Sequence, residues 1–261
     1  MDNVFQKLRR FNLIMGIFHL VQGIAMIFLA YFVIDKIEAF QPVIVQNYLT
    51  FVVGEGLVLV GRDLFTLPFG ILVALFLFLS ALAHFIISIP NKLFNIYVDD
   101  LKKGINKFRW FEYALSSSIM IVLTAVLFGV VDVASLLLIF VINALMNIFG
   151  LIMEQMNSGF EKGKVNWSPF IWGAIAGLTP WIVIALYIFG SGDVADAPWF
   201  AWAILASYFL SFNAFPFNMI AQYLKVGKWK DYLYGEKTYI VLSLVAKSVL
   251  AWLVLFGAMQ P

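Results

Sequence analysis

The stretch Tyr239–Phe256, YIVLSLVAKSVLAWLVLF, decides the fold. It is nearly long enough by itself to cross a bilayer, which needs roughly 20 apolar residues per helix. Yet it carries Lys247 at its centre. A charge at mid-bilayer costs at least ~2.5–3.5 kcal/mol on insertion scales, so a residue of this kind is a functional candidate by default. Six similar stretches precede it. Apolar residues make up 63% of the 261 and charged residues 12%, against about half and a quarter in a soluble domain. Residues 1–261 therefore read as a single all-α membrane domain of seven spans. The chain has no cysteine, so disulfides, a thiol nucleophile and Cys-ligated metal are excluded.

The spans are expected at Phe11–Ile34, Pro68–Ile89, Phe108–Phe128, Ala134–Met153, Pro169–Phe189, Trp199–Leu224 and Thr238–Ala258. Pro180 and Pro216 mark kinks inside spans 5 and 6. Pro169 and Pro198 stand near helix starts, where a missing N–H costs least. Span 1 is too long for a signal peptide and no A-x-A site follows it. Lys and Arg set the orientation. Fourteen fall on one side, in the N-terminus and the loops after spans 2, 4 and 6, and only Lys36 and Arg62 on the other. The sparse side also holds Asp35, Glu38, Glu55, Asp63, Asp132, Asp193 and Asp196. The expectation is a cytoplasmic N-terminus and an extracellular C-terminus.

The loop over 35–67 is long and carries two β-rich runs, PVIVQNYLTFVV and GLVLVGRDLF, around Gly54-Glu55-Gly56. It reads as an extracellular two-stranded hairpin; an interfacial segment without fixed fold is the alternative. A lone hairpin is marginal in water, so this one is expected to pack on the helices or on a second copy.

Few polar residues lie within the expected spans. Glu112, in RWFEYALSSS, is the only carboxylate well inside one, and His19 and His84 are the only histidines. Glu112 lies one turn in from the cytoplasmic edge, and Lys247 lies roughly 8 Å deeper at 1.5 Å per residue. The lysine side chain leans toward its helix N-terminus, to the level of Glu112. His19 and His84 come to the same half of the bundle. Desolvation favours the neutral, nucleophilic amine of a buried lysine, which can form a Schiff base with an aldehyde. A protonated Schiff base in hydrocarbon needs a counterion, and Glu112 is the only candidate. Ser243 lies one turn before Lys247, and Ser116 and Ser117 one turn after Glu112. Trp110, Tyr113, Trp172, Trp181, Tyr208, Phe209, Phe212 and Phe215 offer a lining for a polyene. A structural ion pair, core histidines and aromatics that merely pack or face lipid are the competing readings.

At these residues the chain resembles microbial rhodopsins, which place a lysine in the last of seven helices. In Arg109-Trp110-Phe111-Glu112-Tyr113, then Ser116, span 3 is similar to their counterion segment. Ser243, where an Asp is usual, and the inverted orientation depart from ordinary members. Both resemble heliorhodopsins, as do the hairpin, the histidine pair and the segments SLVAK and SYFLSFNAFPFN. That resemblance covers the whole chain. It implies all-trans retinal on Lys247, Glu112 as counterion with Ser243 beside it, and a slow photocycle. It implies a polar cavity of His19, Gln22, Ser80 and His84, with Arg109 nearby, as a stop for the released proton. It implies a retinal pocket taking in Tyr113, Ser116, Ser117, Met120, Asn143, Met146 and Phe212. It also implies a homodimer with the hairpin at its interface.

A pump needs a second carboxylate, which in pumping rhodopsins comes eleven residues after the first; here that position is Leu123. The expectation is a light sensor without net transport. The alternative is a light-gated proton or ion channel, against which the outer halves of spans 1, 3 and 7 hold almost no polar residue. No nucleotide motif, metal constellation or further nucleophile–base pair is present, which argues against an enzyme. Nothing points to nucleic acid. The basic, aromatic-rich loops KVGKWKDYLYGEK and NKLFNIYVDDLKKGINKF fit inside-positive topology and anionic lipid, and leave room for a cytoplasmic signalling partner.

Overall fold

The computed structural model describes residues 3–32, 41–159, 164–190 and 199–257. Seven helices in it are long and apolar enough to span a membrane. They are α1 (Asn3–Phe32), α2 (Phe69–Ser88), α4 (Lys107–Leu127), α5 (Val133–Met156), α6 (Ser168–Gly190), α7 (Trp199–Tyr223) and α8 (Tyr232–Gly257). An eighth helix, α3 (Asn91–Lys102), lies between the second and third spans. Strands β1 (Val43–Val52) and β2 (Gly56–Thr66) form the hairpin after α1. Asp35, Lys36, Glu38, Lys162, Asp193, Asp196, Pro198, Ala258 and the expected end of span 1 lie outside the described residues.

The helices begin where capping chemistry allows. Asn106 caps α4 by accepting from the Arg109 amide at 3.0 Å, and Asp132 caps α5 by accepting from the Ser135 amide at 2.9 Å, each satisfying an otherwise orphaned donor. That backbone hydrogen bond holds the Asp132 carboxyl below its usual range. Pro180 and Pro216 are accommodated within α6 and α7.

Three helix limits differ from expectation, and the reason is common to them. Span 1 starts at Asn3, span 4 runs to Met156 and span 7 starts at Tyr232. Each extension carries charges, which end an apolar run in the sequence but not a helix in the bundle. The extensions bring Glu154 and Glu236 inside, so Glu112 is not the only carboxylate within a span. Glu154 and Glu236 both pair with Arg109, which is 6% exposed and not a loop cation. The Asn106 side chain donates to Glu236 (2.7 Å) and its backbone N–H to Glu154 (2.9 Å), while Trp110 Nε1 donates to Glu154 (2.7 Å). The Arg109 guanidinium also lies over the Tyr239 ring, 4.0 Å from its centroid. This cluster joins α4, α5 and α8.

The helix α3 corrects the reading of Asn91–Lys102 as loop. Its apolar side chains Phe94, Tyr97, Val98 and Leu101 recur at helical spacing and are buried against Phe5, Leu8 and Ile87. Lys92, Lys102 and Asp99 stay exposed, the pattern of an amphipathic helix lying on a bundle.

The spans pack in sequence, α1 on α2, α2 on α4, α4 on α5 and α5 on α6, then α7 on α8 and α8 back on α1. The backbones of α6 and α7 hardly approach each other. Trp181 on α6 bridges the gap through ring contacts with Tyr208, Phe209 and Phe212 on α7. The hairpin pairs antiparallel from Val43↔Thr66 to Val52↔Gly56, and its turn uses Gly54 at φ +94°. Its base docks on the α4–α5 turn. Ile44 is buried, and the Val45 amide donates to Val131 O at 3.0 Å. Leu49, Phe51, Leu57 and Leu59 share its exposed face.

Removing one partner of a buried ion cluster strands charge in a low-dielectric interior, at about 3–5 kcal/mol. Glu236→Ala is therefore expected to lower the melting temperature of the detergent-solubilised protein substantially. Glu55→Ala, on the exposed hairpin turn, is expected to leave it unchanged. Equal melting temperatures for the two would contradict the fastening role of Glu236.

Candidate functional site

Lys247 sits mid-way along α8 and is 3% exposed. Its Nζ donates to Glu112 Oε1 at 2.6 Å and to Ser80 Oγ at 2.5 Å. Ser80 Oγ in turn lies 2.7 Å from the same carboxylate oxygen. Three helices thus contribute one group each: α2 the hydroxyl, α4 the carboxylate, α8 the amine. The Nζ is also 5.1 Å from the centre of the Tyr113 ring. A buried pair of this kind persists only with both partners and a further hydrogen bond in place, and here the serine supplies the latter.

Two cavities adjoin the pair. The larger holds about 430 Å³, within the range of small-molecule sites. Trp110, Tyr113, Ser117, Met120, Met146, Trp181, Tyr208, Phe209, Phe212, Phe215 and Lys247 line it. Three wall positions are glycines. A Cβ at Gly150 would collide with the Trp110 ring, and one at Gly177 would come within 2.5 Å of Met146 Sδ. At Gly173 it would come within 3.1 Å of Phe149 Cβ. Leu178, Phe209 and Phe217, also on this wall, are exposed, so the cavity reaches the bundle surface between α6 and α7. An apolar chamber with one amine in its wall fits retinal, the group implied by the sequence resemblance.

The smaller cavity, of about 40 Å³, lies toward the end of the bundle that carries α3. Asn12, Ser80, His84, Asn106, Arg109, Glu112, Tyr113, Glu236 and Ser243 line it. That volume accommodates water, and the wall offers several polar partners for it. His19 is fully buried beside it, its ring stacked on His84 at 5.7 Å between centroids. Neither His19 nitrogen has a hydrogen-bond partner among the described residues.

The structure does not gather every expected residue. Gln22 does not line the small cavity; its amide oxygen accepts from Trp252 Nε1 at 3.3 Å. Trp172 points outward, 57% exposed, and lines neither cavity. Asn143 stands behind the large cavity's wall and donates to Ser117 at 2.8 Å and Ser118 at 3.0 Å. Asn147, one turn on, reaches that wall and also donates to Ser117. Ser116 is fully buried but lines neither cavity. Asn12, Tyr97, Asn106, Asn147, Glu154, Glu236 and the three glycines were not anticipated. For Asn12 a signal existed: Asn12, Gly16, His19 and Gly23 form one stripe at helical spacing, the buried face of α1.

No curated protein matches the chain. A family model described as Heliorhodopsin matches residues 8–259. The amine–carboxylate pair, the apolar chamber at its side and this nearly full-length match lead to one conclusion: the chain belongs to the heliorhodopsin family and is a multi-pass, retinal-binding rhodopsin photoreceptor.

Proposed function

We propose that the protein is a light sensor with a slow photocycle that moves no net charge across the membrane, with all-trans retinal attached at Lys247. The observation that carries this reading is the distribution of polar groups around Lys247 Nζ. Toward α3 lie Glu112, Ser80, Ser243 and the small cavity. Toward the hairpin the interior is filled by Met120, Ile121, Leu123, Leu250 and Val254. Leu123, where a pump's second carboxylate is expected, is 2% exposed in that apolar core.

Retinal bound at Lys247 supplies light-driven isomerisation of a polyene. The protein's own groups manage the charge. Glu112 compensates the positive charge on Nζ, and Ser80 fixes the carboxylate. A proton leaving Nζ finds its acceptors in the small cavity, whose wall includes the base His84. The paired Arg109 and Glu236 stand in the wall of that cavity. The proton returns by the way it came.

The Lys/Arg bias supports a cytoplasmic location for the α3 end and an extracellular one for the hairpin. The exposed apolar face Leu49, Phe51, Leu57 and Leu59 supports a homodimer joined through the hairpin. The basic surface around α3 supports a cytoplasmic signalling partner.

Lys247→Ala is expected to abolish the visible band formed with retinal. Glu112→Gln is expected to red-shift it and to make it bleach at lower pH, because the positive charge loses its stabilising partner. A band retained in the first variant, or an unchanged one in the second, would contradict these roles. Illuminated cells expressing the protein are expected to give no sustained, protonophore-sensitive change in external pH and no steady current; either signal would sink the no-transport reading. The cysteine-free chain allows direct orientation mapping. A thiol at Val53→Cys is expected to react with an impermeant maleimide on intact cells, and one at Lys103→Cys only after permeabilisation. The reverse pattern would invert the topology.

A further inference from the structure

The proton stop proposed above leaves open which His84 nitrogen takes the proton, and the hydrogen bonds around the ring answer it. His84 Nδ1 lies 2.8 Å from Asn12 Oδ1. Which end of the Asn12 amide faces the ring follows from its other contacts. Asn12 Nδ2 is 3.0 Å from the backbone carbonyl of Leu8, which can only accept. The NH₂ group must therefore point to Leu8, and it also reaches the Tyr97 hydroxyl at 3.5 Å. Tyr97 donates its own proton to Glu236 Oε1 at 3.1 Å, so it is free to accept from Asn12. Burial beside Glu236 pushes the Tyr97 phenol well above its ordinary range, which keeps that donor in place. The amide oxygen is left to face His84, and an oxygen opposite Nδ1 requires an N–H there.

We infer that Asn12 is a positioning residue that fixes neutral His84 as the Nδ1–H tautomer, leaving the Nε2 lone pair as the proton acceptor. Among the described residues no hydrogen bond reaches Nε2, and His84 borders the small cavity with Glu112. The titratable groups around the ring are His19, stacked on it, and Glu112 and Lys247, whose charges act on it. When the proton leaves Lys247 Nζ for His84 Nε2, Nζ becomes neutral and the ring becomes imidazolium. Nδ1–H keeps its bond to Asn12 throughout. Glu112 stays ionised, and its positive partner changes from the amine to the ring. The transfer therefore needs no rearrangement at Nδ1 and creates no uncompensated charge.

The sequence makes this directly testable, since it contains two histidines only. The full-length protein is labelled with ¹⁵N-histidine in lipid, and His19→Gln assigns the remaining ring. In the dark, His84 is expected to show protonated Nδ1 and unprotonated Nε2. Asn12→Leu is expected to mix the two tautomers and to slow, by several-fold, the recovery of absorbance after a flash. Asn12→Asp is expected to restore the Nδ1–H signature. An Nε2–H ring in the unsubstituted protein, or an unchanged ring in Asn12→Leu, would overturn the assignment. If Asn12→Leu does not fold, the dark spectrum of the unsubstituted protein decides alone. The inference rests on the proton-stop reading only for its consequence. A dark Nδ1–H ring that never becomes doubly protonated under illumination would retain the tautomer and remove the stop.

Discussion

The ion pair between Lys247 and Glu112 is the constraint around which the bundle is arranged. Neither charge is tolerable alone at this depth, since removing one partner of a buried pair costs about 3–5 kcal/mol. The amine on α8 and the carboxylate on α4 must therefore meet, with α2 close enough to add the Ser80 hydroxyl. Three non-adjacent segments of the chain are brought to one point, and the two cavities lie on either side of it. On the proposed function, the apolar chamber takes the cofactor and the small polar cavity the charge. On that reading, the lysine side chain between them would couple a change of shape on one side to a movement of charge on the other.

Much of this was legible from residues alone. Lys247 in an apolar stretch, Glu112 in RWFEYALSSS and the Gly54-Glu55-Gly56 turn each carried one strong signal, and each stands where that signal placed it. What stayed hidden had a single physical origin. Hydropathy assumes that a charge ends a span, but a charge facing the bundle interior can be met by another. Arg109, Glu154 and Glu236 satisfy one another, so the helices carrying them run on past the apolar runs. The same assumption assigned Asn91–Lys102 to a loop, although Phe94, Tyr97, Val98 and Leu101 mark a helical face. Gln22 and Trp172 show the opposite sense. Each has the chemistry of a site residue, but helix rotation turned Trp172 toward the outside and Gln22 toward Trp252. A polar or aromatic residue in a span announces its cost or its bulk, not its direction.

The glycines of the chamber were silent for a related reason. Gly150, Gly173 and Gly177 contribute nothing to a chemical motif, and their role lies in the space they leave for Trp110, Met146 and Phe149. Close approach of this kind is a property of pairs of helices, and no single helix carries its signature.

The ionised side chains of the described spans all lie between the middle of the bundle and the α3 end; the half nearer the hairpin holds none. A membrane voltage falls mainly across the dry, poorly polarisable part of a protein. Here that part is the hairpin half, while the other half carries charges and water-sized space. On the proposed function, a proton passing from Lys247 to His84 moves toward the α3 end, within the half that holds the charges and the small cavity, and so crosses little of the voltage. That placement would leave the proposed step only weakly dependent on the membrane potential. A light sensor of the proposed kind would then respond to light much alike whether the cell is charged or depolarised.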